Sequence, residues 1–339
     1  MSRLWIGGLG LALLVGPASG LPPAFPSVPI GETAWITSGV WVRDRLVLLD
    51  ASHNRLAWLH DGKLDPLDPF LSVPTKVQAL DPAGDLLVSS AEKAYWWEKV
   101  RLEAEGWTVQ KSWSCETCGI SDWTLVHDSL VFAVGDVQVN DTGEGEQERG
   151  HEEHWVTGLF WVTPDGPELA YELSDEDYPL YLHGFRLLAV VGGQGYAVVP
   201  EAQESTETQR RLTIIEVPRN QTTWRTLCRL PTSPPALSFA QEESFAATFE
   251  QVSALEGPVR LLSWESRLYL IQKTRQGFEV WKVDTDDGGL HFKQALPTSD
   301  FATVIPGPEH WAVVLKGAVT GFGKQTVKAV VLVEAERFR

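Results

Sequence analysis

From Trp35 onward, short apolar runs alternate with turn-forming residues. Arg45-Leu46-Val47-Leu48-Leu49 is followed by Ala51-Ser52-His53-Asn54, and then by Arg55-Leu56-Ala57-Trp58-Leu59. Val77-Gln78-Ala79-Leu80 leads through Asp81-Pro82-Ala83-Gly84 into Asp85-Leu86-Leu87-Val88. The theme returns at Ser129–Val134, Gly195–Val199, Arg267–Ile271 and Trp311–Leu315. Runs rich in Val, Leu, Ile, Trp and Tyr, bounded by Gly, Pro, Asp and Asn, predict strands joined by tight turns. Helical spacing is confined to Glu242–Leu255, where Phe245, Phe249 and Val252 fall on one face and predict a short amphipathic helix.

Laid side by side, the strand groups form a loose repeat with units starting near Gly39, Lys76, Asp122, Leu180, Val259 and Ala302. The two widest intervals carry insertions: the Gly/Glu-rich stretch Asp141–Glu153, and the polar Glu201–Arg210 segment with the candidate helix. The reading is an all-β chain forming a single β-propeller of six blades, each of four antiparallel strands, with one short helical insertion. Five or seven blades, or a pair of β-sandwiches, are the alternatives. The last unit is short by one strand, and Ala34–Thr37 is placed to supply it and close the ring. Leu80-Asp81-Pro82-Ala83-Gly84-Asp85-Leu86-Leu87-Val88 resembles the strand–DPxG–strand unit of NHL and gluconolactonase-like propellers, and Val162-Thr163-Pro164-Asp165-Gly166 is a similar turn. Proline presets φ and glycine permits the turn, so the resemblance implies a fold and assigns no catalytic residue.

The N-terminus departs from this rhythm. Arg3 precedes an apolar run from Leu4 to Val15, which ends at Gly16-Pro17 and the small residues Ala18-Ser19-Gly20. That is the pattern of a signal peptide over residues 1–20, and the run is too short to span a bilayer as a helix. A Pro-rich leader over 21–34 and a propeller over 35–339 follow. The expected location is therefore secreted or periplasmic, with no membrane span after cleavage. Formal charge is −17, from 28 basic and 45 acidic residues. Such a charge disfavours nucleic acid as a partner and makes a cationic or neutral partner more plausible than an anionic one.

Several motifs invite chemistry. Cys115-Glu116-Thr117-Cys118-Gly119 has half of a zinc-knuckle spacing without a second pair, and Gly119 stands where covalent haem attachment needs His. In an exported chain Cys115 and Cys118 are a disulfide candidate, and Cys228 is expected as a buried free thiol. His151-Glu152-Glu153-His154 lacks the four-residue histidine spacing of a zinc helix and reads as a solvated loop. Asp284–Gly289 has Gly at the fifth position and Ala295 at the twelfth, against the calcium-loop pattern, and reads as a hairpin turn. Gly317–Thr326 fails the phosphate-loop pattern at Ala318 and Gln325. Sequons occur at Asn140 and Asn220. No metal and no cofactor is called for by these patterns.

Tryptophan is unusually frequent, 15 residues against one Met. Its spread over nearly every unit (Trp41, Trp58, Trp123, Trp161, Trp224, Trp264, Trp281 and Trp311 among them) suits packing between blades. Trp96 and Trp97 are ligand-stacking candidates, because adjacent strand residues face opposite sides and one of them can be open. Trp107 and Trp113, an even step apart, are expected on one face. The function expected is an exported binding or scaffold propeller with an unknown protein or glycan as partner. The competing class is a propeller enzyme, a lactonase or quinoprotein-like dehydrogenase, which needs polar side chains converging at the channel mouth.

Overall fold

In the computed structural model, the residues described are 27–30, 34–70, 73–81, 83–90, 96–103, 106–127, 130–140, 153–173, 187–200, 212–219, 223–230, 259–274, 277–296, 298, 301–319 and 325–339. Every strand pairs antiparallel with its neighbours in one of six four-stranded sheets. Strand β1 (Ser27–Pro29) precedes the first blade, which is β2 (Ile36–Val42), β3 (Arg45–Asp50), β4 (Arg55–His60) and β5 (Lys63–Pro69). The second blade is β6 (Pro74–Ala79), β7 (Asp85–Ser90), β8 (Trp96–Leu102) and β9 (Trp107–Ser114). The third is β10 (Cys118–His127), β11 (Leu130–Asn140), β12 (Glu153–Thr163) and β13 (Gly166–Glu172). The fourth is β14 (Leu188–Val191), β15 (Gln194–Pro200), β16 (Leu212–Val217) and β17 (Arg225–Arg229). The fifth is β18 (Val259–Trp264), β19 (Arg267–Thr274), β20 (Gly277–Val283) and β21 (Leu290–Ala295). The sixth takes β22 (Thr303–Ile305), β23 (His310–Val319) and β24 (Gln325–Glu334) from the end of the chain and β1 from its beginning.

The protein is thus a six-bladed β-propeller. Its closing strand is Ser27–Pro29, inside the segment read as a leader, and not Ala34–Thr37. Ala34 still touches the seam, since its carbonyl accepts from the Val327 amide, but Ile36 already belongs to the first blade. The candidate helix over Glu242–Leu255 lies outside the described residues, as do residues 1–26. Among the described residues the helical structure is one 3-10 turn, Ala335–Arg337, and no helix is long and apolar enough to cross a membrane.

Burial follows strand rank within each blade. The second strands β3, β7 and β19 are covered on both faces by neighbouring blades, and each is built round a continuous apolar centre, Leu46–Leu49, Leu86–Val88 and Leu268–Ile271. The outermost strands β9, β13, β17 and β21 stay largely exposed and polar. Between blades the apolar faces merge into continuous clusters, in which Trp58, Trp97, Trp123, Trp161, Trp264 and Trp311 are buried. Trp311 stacks on Phe338 at 4.0 Å and meets Trp264 edge-on at 5.4 Å. Trp224 departs from the packing expectation: it is 45% exposed, with Tyr171 edge-on to its ring at 5.3 Å.

The DPxG segment forms the β6–β7 turn, where Asp81 Oδ1 accepts the amides of Ala83, Gly84 and Asp85 at 2.8, 2.9 and 3.1 Å. Asp284–Gly289 is the β20–β21 hairpin turn, tied by Asp284 Oδ1 to the Asp286 amide at 2.9 Å.

Candidate functional site

The six inner strands (β2, β6, β10, β14, β18 and β22) surround a central channel with a cavity of about 950 Å³. It opens where each inner strand turns into the second strand of its blade. Arg43, Asp81, His127, Glu265 and Pro308 stand at that mouth. Its wall mixes polar side chains (Gln78, Thr124 and Ser263) with apolar ones (Leu125, Val126 and Leu262), and Trp41 and Trp264 also line it. Trp41 is fixed by its indole N–H, which donates to the Ile305 carbonyl at 3.2 Å. Glu265 is held by Arg339, whose guanidinium keeps the Glu265 carboxyl below its ordinary value.

Neighbouring inner strands are joined by side chains as well as by packing. Ser38 Oγ donates to the Val77 carbonyl and accepts the Val77 amide, both at 3.0 Å. Lys76 Nζ reaches Asp122 Oδ1 at 2.7 Å and the Trp123 carbonyl, and Gln78 Oε1 accepts the Leu125 amide at 2.6 Å. Arg260 lays its guanidinium over the Phe301 ring at 4.5 Å. Lys76 and Arg260 both line the inner end of the cavity while almost wholly buried. Nothing in the sequence pattern singled these two out, because each sits in an unremarkable strand. Only the ring topology brings the second and fifth blades to face one another.

No family model matches the chain, and no curated protein matches it. Among solved structures it is similar to a gluconolactonase from Xanthomonas campestris, at 14% identity and a TM-score of 0.48, over 92% of this chain and 99% of that one. It is also similar to the WD40 repeats of RRP9, at 8% identity and a TM-score of 0.49, over 91% of this chain and 97% of that one. At such identities a likeness concerns fold alone. The functional reading rests on the channel itself.

The residues singled out from sequence fall mostly elsewhere. Trp97 has no exposed surface: it stacks on Trp113 at 6.4 Å and meets Trp123 edge-on, so its ring offers no face to a ligand. Trp96 points to the other side of β8, is partly exposed, and donates to Glu98 Oε1 at 3.3 Å. Neither lines the channel cavity. Cys115 and Cys118 sit at the turn from β9 to β10, their Cα atoms 5.4 Å apart and their sulfurs bonded. Cys228 is half-buried, and burial pushes its thiol up to about 11, which leaves it a poor nucleophile at neutral pH. His151 and Glu152 lie outside the described residues, whereas Glu153 and His154 open strand β12. Among the described residues no three His, Cys, Asp or Glu side chains group as a metal-ligand set.

Proposed function

We propose that the protein is an exported propeller that acts as a binding module and receives its ligand or partner at the channel mouth. The observation that carries this reading is the cavity of about 950 Å³, in which apolar and polar side chains alternate along the wall and charged ones stand at the rim. A concave site of a few hundred to about 1,000 Å³, with apolar surface for contact and polar groups for orientation, is the usual form of a ligand pocket. Export is supported by the Arg3, Leu4–Val15 and Ala18-Ser19-Gly20 pattern, and by the bonded Cys115–Cys118 pair, which suits an oxidising compartment.

The test is expression of the full chain in a secreting host, followed by binding to an array of neutral oligosaccharides and cationic peptides. Ser263 is partly exposed on the channel wall, so Ser263→Trp plugs the cavity without entering the core. Export with saturable binding that disappears in Ser263→Trp, at unchanged melting temperature, is expected. Retention of the full chain inside the cell, or binding that ignores the plug, overturns the reading. Hydrolysis of lactones by the wild type and not by the plugged variant would favour the enzyme instead.

A further inference from the structure

The inner strand of each blade is the edge of its sheet, paired on one side only, so every second residue turns its N–H and C=O toward the channel. In the fifth blade the β18–β19 turn fixes which residues these are. Glu265 and Ser266 have positive φ, 47° and 56°, in a two-residue turn closed by Trp264 opposite Arg267. Such a turn closes on a hydrogen-bonded pair, so Trp264, Leu262 and Arg260 bond to β19. Leu261 and Ser263 therefore turn their main-chain groups toward the channel. The fourth blade has the same turn at Gly192-Gly193, and there the Val198 amide bonds to the Leu187 carbonyl, as this alternation requires.

In the second and third blades such groups are capped by side chains from the preceding blade. Ser38 takes both main-chain groups of Val77, Lys76 takes the Trp123 carbonyl, and Gln78 takes the Leu125 amide. The blades share one register: opposite the fifth residue of each second strand stand Ser38, Lys76, Asp122, Leu187, Arg260 and Thr303. Leu187 is the one apolar residue at this level. It stands to Leu261 as Ser38 stands to Val77 and as Lys76 stands to Trp123. Two residues further on, Ala189 stands to Ser263 as Gln78 stands to Leu125. Neither Leu187 nor Ala189 has a side-chain donor or acceptor, so among the described residues the fourth blade gives β18 no cap.

This edge borders the cavity, since Arg260 to Glu265 all line it. At about 3.4 Å per residue that is a length of roughly 20 Å. Donors and acceptors repeating along an extended edge are matched by another strand. An added strand would direct its side chains alternately to the Leu262 and Trp264 face, which packs on the sixth blade, and to the Leu261 face, which packs on the fourth. Apolar or small uncharged side chains suit both faces.

We infer that the channel receives an extended peptide segment of a partner protein, which adds as a strand to the free edge of β18 at Leu261 and Ser263. The inference rests on the reading that the channel admits ligands, and it names the class of partner.

The probe is a displayed library of random dodecapeptides, selected on the mature protein and counter-selected on Ser263→Trp. The consensus peptide is synthesised and its affinity measured by calorimetry. Saturable binding is expected, and it should weaken at least about tenfold when every backbone nitrogen of the peptide is methylated, which removes donors and leaves the side chains. Ser263→Pro removes the channel-facing N–H without breaking the ladder, because Ser263 opposite Leu268 is a pair not bonded to each other. This variant should melt close to wild type and bind the peptide roughly tenfold more weakly. The amides of Leu261 and Ser263 should also exchange with solvent more slowly in the complex, which decides the matter if Ser263→Pro does not fold. The inference is overturned if no plug-sensitive peptide is found, if the methylated peptide or folded Ser263→Pro binds undiminished, or if exchange at the two amides is unaltered. Oligosaccharide binding that still disappears in Ser263→Trp would then leave the channel reading standing and remove only the added strand.

Discussion

Asp50 is fully buried, yet it gathers donors from four residues. Its Oδ1 accepts the Trp35 amide at 3.2 Å, the Ser52 amide at 3.1 Å and Ser52 Oγ at 2.5 Å, while Oδ2 faces His53 Nδ1 at 2.6 Å and Arg55 Nε at 3.3 Å. Burial by itself would raise the carboxyl. The hydrogen bonds from Ser52, His53 and Trp35 outweigh it and hold Asp50 below its ordinary 3.8. A carboxyl depressed in the folded state contributes stability that is complete above 3.8 and is lost as pH falls through the folded value. Asp50→Asn should therefore cost about 2 kcal/mol at pH 7, and the gap to wild type should narrow in acid. Thermal melts of both proteins at pH 7 and pH 3 check this; a gap that widens in acid would refute it. Cys115 and Cys118 lie three apart in sequence, so their bond closes a very short loop. The double variant Cys115→Ala/Cys118→Ala should lose no more than about 2 kcal/mol, because loop-closure stabilisation grows with loop length. A much larger loss of denaturant stability would contradict that account. The cysteine spacing was legible in the sequence as a close pair. The Asp50 cluster was not, since one of its donors is the backbone of a residue 15 positions away.

Strand β9 shows what alternation leaves out. Lys99 pairs with Lys111 and Val100 with Val109, so Gln110 is an extra residue on β9. Trp107 is thereby opposite Leu102, and Trp113 opposite Trp97, an odd step apart on β8, so the two rings occupy opposite faces despite their even spacing. Trp107 stacks on Phe70 at 4.1 Å and donates to the Asp68 carbonyl at 2.7 Å, sealing the first blade to the second. Trp113 covers Trp97 on the side facing the third blade. Deleting Gln110 should force one of the two rings off its partner and cost about 2–3 kcal/mol, while Gln110→Ala, which keeps the residue count, should remain near wild type. Near-ultraviolet circular dichroism with thermal melting separates them; equal stability of the two variants would show that the bulge sets no register. Strands were legible because their apolar runs and Gly, Pro and Asp turns are local signals. A one-residue bulge is visible only against the partner strand. The same holds for Trp97, whose burial depends on Trp113 and Trp123 arriving from other strands.

The ring as a whole is held shut by a short piece of chain. Ser27, Val28 and Pro29 pair with Val331, Val330 and Ala329, and the Ile30 amide donates to the Lys328 carbonyl at 3.2 Å. Six blades and the need for a borrowed strand could be counted from sequence. Which segment would supply it could not, because Ser-Val-Pro in a proline-rich stretch carries no strand pattern of its own; its structure comes from the waiting edge of β24. That edge is apolar through Val327, Val330 and Val331, all buried. A chain lacking residues 27–30 leaves it open, and an open strand edge is a template for another chain. Such a variant should melt about 2–3 °C lower, since a loss of about 1–2 kcal/mol corresponds to a shift of that size in a chain of this length. It should also self-associate as concentration rises, which sedimentation would detect. A synthetic peptide spanning residues 25–32 should add as a strand, restoring both the melting temperature and the monomer. A truncated protein that stays monomeric and melts with the wild type would mean that the blades close the ring through their packed faces alone.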